Sequence, residues 1–249
     1  MGAYYIHFYG QNNLMKNSEI AFVSFDGILE NIGKSQILPY LESLSDNYKI
    51  TLITLENNEK FKNKNLSEVR KKLLKKNIIW LTSSFNKFYK IGFLINFFKI
   101  FIFLLYLTIF KKIRFFHCRS LIPSVVCYFL SFFFKINYVF DMRGFWIDEK
   151  SDRLNLKKTK ISYILFKSLE NKILINCDKI VTLTENAKKI ICQKINFISA
   201  KKITVIPTCV NTNTYIKKNL KFDKLNITFC YLGSLYEAYD IDIIINYFK

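Results

Sequence analysis

Short apolar runs alternate with helix-length runs along almost the whole chain, and this rhythm restricts the fold more than any other feature. "IAFVSF", "KITLITL", "NIIWLTS", "KIRFFHC", "NYVFDM", "KIVTLT" and "KITVIP" read as strands. They are apolar throughout rather than alternating, as strands of a parallel sheet covered on both faces must be. Between them lie segments of helical length: "ILPYLESLSD", "LSEVRKKLLKK", Ile91–Phe110, Pro123–Phe134, "ISYILFKSLENKILINC" and "ENAKKIICQK". "RGFWIDEKSDRLNLKKT" reads as a longer loop. The reading is α/β: a doubly wound, mostly parallel Rossmann-like sheet over residues 20–211. Residues 1–19 read as an N-terminal extension. Residues 212–249 read as a linker and the first strand of a second unit, near Ile227 to Tyr231.

In such a sheet ligands are held at the C-terminal ends of the strands, so the loops there come first. "SFDGILENIGKSQILPY" follows the first strand and contains Gly33-Lys34-Ser35. A nucleoside-triphosphate loop needs G-x-x-x-x-G-K-[ST], so that consecutive N–H groups curl round the phosphates. Ile28 stands where its first glycine belongs, and Gly27 is one place early. Pro39 also lacks an N–H where a helix capped by Ser35 would begin its ladder. The segment is instead an ordinary strand-to-helix turn or a glycine-containing loop over a substrate cleft.

"FDMRGFWIDEK" holds more chemistry than any other stretch. Arg143 suits bidentate recognition of a phosphate or carboxylate. Asp141 suits orienting that arginine or accepting a proton from a substrate hydroxyl. Gly144 allows close backbone approach, and Phe145 and Trp146 offer an apolar platform. The plain alternative is a turn with an internal Arg–Asp pair. In "VTLTENAKK", Thr182 or Thr184 caps a helix and Glu185 favours its positive end; the same N–H groups could receive an anion.

The formal net charge is +19, which attracts nucleic acid, acidic membrane surface or phosphorylated substrates. No zinc-finger, helix-turn-helix or aromatic-basic platform stands out, so nucleic acid is not the expected partner. Lys60–Lys76 is the densest basic run, read as a solvated or membrane-facing helix side. The six cysteines form no C-x-x-C and there are two histidines, His7 and His117. No metal site or cofactor is expected. His117 and Cys118 point to opposite faces of a strand, as a satisfied histidine and a buried thiol. Scattered cysteines and the lack of a signal-peptide pattern suit the cytoplasm. Ile91–Phe110 approaches the roughly 20 apolar residues of a membrane span but contains Lys99; a buried or membrane-skimming helix is expected.

The ordered series "VSFDGILENIGKSQILPYLESLS", "HCRSLIPS", "FDMRGFWIDE", "LENKILINCDKIVTLTENAKKII", "ITVIPTCVN" and "FCYLGSL" resembles the N-terminal half of glycosyltransferase family 4. The resemblance implies the acceptor-side half of a two-domain GT-B enzyme. Such enzymes take a nucleotide-sugar as donor substrate, usually without a bound metal, and many build cell-surface polysaccharide or lipopolysaccharide at the inner face of the membrane. A lipid-linked or glycan acceptor, a peripheral membrane location and a separately encoded donor domain are the partners implied. By position, Gly33 and Lys34 belong to the first cleft loop, and Arg119 and Ser120 follow the fourth core strand. Asp141, Arg143 and Gly144 occupy the loop where many relatives carry a catalytic-region histidine, a role that "DMRG" does not transfer. Trp146, Glu149 and Glu185 line the cleft, with Thr184 and Asn186 beside Glu185. Pro207, Thr208 and Val210 form a turn, and Gly233 and Ser234 open the donor side. Asp141 and Arg143 are the catalytic candidates. The family's donor-side basic pair and paired glutamates would lie beyond Lys249, so a truncated chain, incomplete alone, is expected. The alternative is a non-catalytic binding or partner protein that keeps the fold.

Overall fold

The computed structural model describes residues 19–63, 66–153, 158, 160–209, 230–231 and 241–247. Seven strands form one sheet: β1 (Glu19–Ser24), β2 (Lys49–Glu56), β3 (Ile78–Ser84), β4 (Phe115–Arg119), β5 (Asn137–Met142), β6 (Lys179–Thr182) and β7 (Ile203–Val205). Every neighbouring pair is parallel, in the order β3-β2-β1-β4-β5-β6-β7. This is the doubly wound α/β, Rossmann-like architecture. The winding reverses between β1 and β4, whose loops leave in opposite directions and open a crevice there. The expected strand near Ile227–Tyr231 lies outside the described residues apart from Cys230 and Tyr231, which belong to no strand. Gly233 and Ser234 also lie outside them.

Alternate strand residues feed two cores. Phe22, Leu52, Val139 and Val181 meet Ile37, Leu41 and Leu73 on one face; Val23, Cys118, Phe140 and Ile180 meet Leu104, Val126 and Ile173 on the other. The helices are α1 (Leu38–Leu44), α2 (Asn58–Asn63), α3 (Leu66–Leu74), α4 (Tyr89–Ile109), α5 (Leu121–Leu130), α6 (Trp146–Arg153), α7 (Ile161–Asn176), α8 (Glu185–Lys194) and α9 (Ile241–Tyr247). Both faces of the sheet are covered, which is why its strands carry unbroken apolar runs.

Two local departures from expectation matter. Part of the segment read as a loop after β5 is the helix α6. Ile147 and Ser151 are buried one turn apart, Asp148 and Glu149 lie in its first turn and Lys150 and Arg153 in its last, an order that complements the helix dipole. The helix containing Pro39 also starts earlier than the proline suggests, at Asn31. A π-turn over Gly33–Ile37 precedes α1, with the Leu38 N–H bonded to the Gly33 carbonyl. Widening the turn absorbs the N–H that Pro39 cannot supply.

α4 packs Asn96, Ile100, Leu104, Leu107 and Thr108 inward, yet Ile91, Leu94, Phe98, Ile102, Ile109 and Phe110 are exposed in a stripe along its other side. By length and composition it is long and apolar enough to cross a membrane; in the fold one side of it is a wall of the core. Lys99 folds back to donate to the Ser84 carbonyl at 2.6 Å, and burial pulls its pKa down. Asn96 exchanges two hydrogen bonds of 2.8 Å with the Asn86 backbone, pinning the β3–α4 loop.

Candidate functional site

The parallel register sets Ser24, Arg119 and Asp141 side by side on β1, β4 and β5. All three are buried. The residues two places earlier on β4 and β5, His117 and Val139, share their face of the sheet, the one that α1 covers. Asp141 is therefore walled in by one imidazole and two guanidiniums. His117 Nε2 lies 3.4 Å from its Oδ2, Arg119 Nη1 lies 4.0 Å from the same oxygen, and Arg143 Nη1 lies 3.6 Å from Oδ1. Burial alone would push the Asp141 carboxyl up; the His117 hydrogen bond and charge, with the charges of Arg143 and Arg119, outweigh it and hold the carboxyl below its ordinary range.

Gln36, in the π-turn, completes the set. Its Oε1 accepts from Arg119 Nη2 at 2.9 Å and from Arg143 Nη2 at 3.2 Å. Arg143 Nη2 also reaches Thr208 Oγ1 at 3.3 Å, beyond the end of β7. Asp26, half-exposed after β1, lies 3.9 Å from Arg119 Nε. The group thus spans loops that follow β1, β4, β5 and β7.

A second residue shapes the β1 loop. Glu56, fully buried at the end of β2, accepts the backbone N–H of Ile28 at 2.8 Å and of Leu29 at 3.0 Å, and the Thr54 hydroxyl at 2.6 Å. Gly27 leaves room for that carboxylate, and Gly33 lets the π-turn cross the Gly27 carbonyl and Ile28 backbone; a Cβ at either glycine would collide.

Of the residues singled out from sequence, Arg119, Asp141, Arg143 and Thr208 converge, and Gly33 supports the turn that carries Gln36. Ser120 follows with φ 78°, a strained conformation for serine, and its N–H ties β4 to the Asp141 carbonyl at 2.9 Å. Gly144 lies close to Glu149: a Cβ there would lie 2.6 Å from Glu149 Oε1. Trp146 is exposed, with Lys150 Nζ 4.7 Å above its ring. Lys34, Glu185 and Asn186 are exposed. Thr184 is the cap of α8, accepting from the Ala187 N–H at 3.1 Å. Pro207 is exposed between Ile206 and Thr208, and Val210 lies outside the described residues. His117 is buried and satisfied, as expected, stacked on Phe22 with ring centroids 4.7 Å apart; that Asp141 is its partner depends on register. Gln36 and Glu56 were not singled out. Their only signal was position: a polar residue three before a helical proline, and a carboxylate closing an apolar strand.

Among the described residues no group of three or more His, Cys, Asp or Glu side chains is placed to hold a metal ion. What the arrangement offers chemically is two guanidiniums, one buried carboxylate between them and a polar loop above the crevice.

Residues 40–214 match the family described as Glycosyltransferase Family 4. No curated protein matches the chain by sequence. Among solved structures, the chain is similar to TcCGT1 in complex with UDP, at 11% identity and TM-score 0.52, over 84% of this chain and 54% of that one. It is also similar to sucrose-phosphate synthase from Thermosynechococcus elongatus, at 12% identity and TM-score 0.54, over 80% of this chain and 50% of that one. Likeness at that identity concerns the fold, and the chain spans about half the length of these structures.

Proposed function

The chain belongs to glycosyltransferase family 4, and on that premise we propose that it is the acceptor-side half of a glycosyltransferase that moves a sugar from a nucleotide-sugar to a lipid-linked or polysaccharide acceptor in cell-surface glycan synthesis. The observation that supports this most is the Arg119–Asp141–Arg143 group at the C-terminal edge of the sheet, beside the reversal between β1 and β4. Glycosyl transfer needs an acceptor hydroxyl held against the anomeric carbon and compensation of charge on the departing diphosphate. Two arginines facing one crevice suit the second need or the anchoring of an anionic acceptor. Asp141 fits the first need poorly as a general base. A base works best with a pKa near the working pH, and this carboxyl is held below its ordinary range. Its role is to aim Arg143. No metal cofactor is assigned to this half; the nucleotide-sugar enters as substrate.

The same reading places the protein at the cytoplasmic face of a membrane. The exposed stripe of α4 is supported by Phe132 and Phe133, 62% and 82% exposed, in the turn that follows α5, a helix that packs against α4. Lys111, Lys112 and Lys135 are exposed beside these segments. Apolar side chains with flanking lysines suit an anionic leaflet. Flotation with anionic vesicles should carry the chain up and high salt should release it. Equal binding to neutral vesicles at high salt would remove the electrostatic part of the proposal.

The transfer reading is tested by incubating the chain, alone and with a coexpressed donor-side half, with radiolabelled nucleotide-sugars and membrane lipid acceptors. Label should move to lipid when both halves are present, and roughly 10- to 100-fold less when Arg143 is replaced by alanine. No transfer from any nucleotide-sugar with both halves folded would point to a binding protein that keeps the fold.

A further inference from the structure

Two guanidinium groups donating to one neutral amide oxygen is an unusual use of two cations. Arg119 and Arg143 come from different strands, and both Nη2 atoms converge on Gln36 Oε1, at 2.9 and 3.2 Å. Their shared carboxylate, Asp141, lies on the other side at ion-pair rather than hydrogen-bond distances of 4.0 and 3.6 Å. The point where the Nη2 atoms meet is where a singly bonded anionic oxygen would be held best, because hydrogen bonds from guanidinium to an ionised oxygen are about twice as strong as those to a neutral one. The local chain is built to put an oxygen there. Pro39 forces the wide turn, Gly33 lets that turn sit on the Gly27–Ile28 backbone, and Gln36 falls within it. π-turns inside helices are frequently found at functional sites.

We propose that Arg119, Arg143 and the Gln36 position form a phosphate site, in which the Gln36 amide oxygen keeps the place of a phosphate oxygen and swings away when a phosphorylated ligand arrives. Thr208, exposed and already 3.3 Å from Arg143 Nη2, supplies a hydroxyl to a second oxygen of the same group. That a substrate brings the phosphate rests on the glycosyl-transfer reading; the site itself does not. The phosphate belongs either to the acceptor or to the nucleotide-sugar diphosphate, and the two are separable by experiment.

Pyrophosphate is the probe, titrated into the full chain by calorimetry and by thermal melting, at constant ionic strength with chloride as the balancing salt. That control matters, because a chain of net charge +19 gains stability from any screening anion. Arg143→Ala, chosen because Arg143 is less buried than Arg119, is expected to weaken binding 10- to 100-fold. Gln36→Glu places a permanent carboxylate between the guanidiniums; it should raise the melting temperature without pyrophosphate and abolish the pyrophosphate response. Gln36→Ala removes the competitor and should bind pyrophosphate at least as tightly as the unaltered chain. Displacement of bound pyrophosphate by UDP would assign the site to the donor, and by geranyl monophosphate to an acceptor; displacement by neither would overturn it. Equal responses in the unaltered chain, Arg143→Ala and Gln36→Glu would reduce the effect to screening and overturn the proposal. Loss of binding in Gln36→Ala as severe as in Arg143→Ala would overturn the place-keeping role. Pyrophosphate binding with no sugar transfer would leave the site standing and remove the transfer reading; transfer with no pyrophosphate binding would do the reverse.

Discussion

One eleven-residue stretch, "FDMRGFWIDEK", feeds two charged clusters of opposite design. Its first half contributes Asp141 and Arg143 to the group at the sheet edge, where one buried carboxylate faces two guanidiniums. Its second half contributes Asp148 to a cluster between α6 and α7. There Lys167 Nζ meets Asp148 at 2.7 Å and also Glu170, and the Tyr163 hydroxyl donates to Asp148 at 2.5 Å. One cation answers two carboxylates, all at hydrogen-bond range, and Glu170 is 1% exposed. The second cluster is closed: its charges are spent on each other and it bolts two helices together. The first is looser, with longer carboxylate contacts and a neutral amide between its cations. Charge density alone did not separate ligand chemistry from architecture in this stretch; the length of the carboxylate contacts does.

The largest expected effect lies in the bolt. Lys167→Met keeps the stem and removes the ammonium, leaving Asp148 and the buried Glu170 facing each other. Removing one partner of a buried ion pair costs about 3 kcal/mol, read as a drop in denaturant midpoint with unchanged slope. Pyrophosphate binding by the folded fraction should not change. If it does, the two clusters are coupled through α6 and the contrast drawn here fails.

Arg143→Ala should show the opposite pattern. Charge-assisted hydrogen bonds are worth about 1.5–3 kcal/mol, so with donor-side half and acceptor present, turnover or affinity should fall roughly 10- to 100-fold. Stability should change little, since Arg143 is partly exposed and its carboxylate contact is long. Asp141→Asn beside it distinguishes orientation from proton transfer. If Asp141 only aims Arg143, the double variant will be scarcely worse than either single one. Unfolding of Arg143→Ala would make this cluster a bolt as well.

The strands were legible because each one of a parallel sheet buried on both faces carries its own apolar run, and "NYVFDM" and "ENAKKIICQK" match β5 and α8 residue for residue. α6 was not, because a two-turn helix after Arg-Gly shows little periodicity and draws its stability from Ile147 and from the bolt to α7. Asp141, Arg143 and Arg119 were legible as strand-end residues. Their assembly was not: the His117–Asp141 contact depends on β4–β5 register, and Gln36 reaches the arginines through a π-turn that no single residue announces. Pro39 argued against a phosphate loop at that spot, yet it produces the wide turn that brings an oxygen to two guanidiniums.

The smallest effect is the one that pH reads, and its sign differs between the clusters. Asp141 has a folded pKa below its ordinary 3.8, so its contribution is present above that value and is lost as pH falls through the lower folded value. In the bolt, burial pushes Glu170 up, against the pull of Lys167. Asp148 moves down, because its hydrogen bonds to Lys167 and Tyr163 outweigh its burial. These two acids have opposite signs and partly cancel on the acid side. Lys167 is raised above its ordinary 10.5; burial opposes this, but the bonds to Asp148 and Glu170 prevail. Tyr163 is raised above 10.0 by its bond to Asp148. Both contributions are complete below those ordinary values and are lost as pH rises through the folded ones. The sheet-edge group should therefore weaken in acid and the bolt in alkali. Melting temperature against pH should fall at low pH in the unaltered chain and fall less in Asp141→Asn. At high pH it should fall in the unaltered chain and less in Lys167→Met. Acid loss unchanged in Asp141→Asn would mean that its carboxylate contributes nothing to the folded state. The sheet-edge group would then be looser still than the distances suggest.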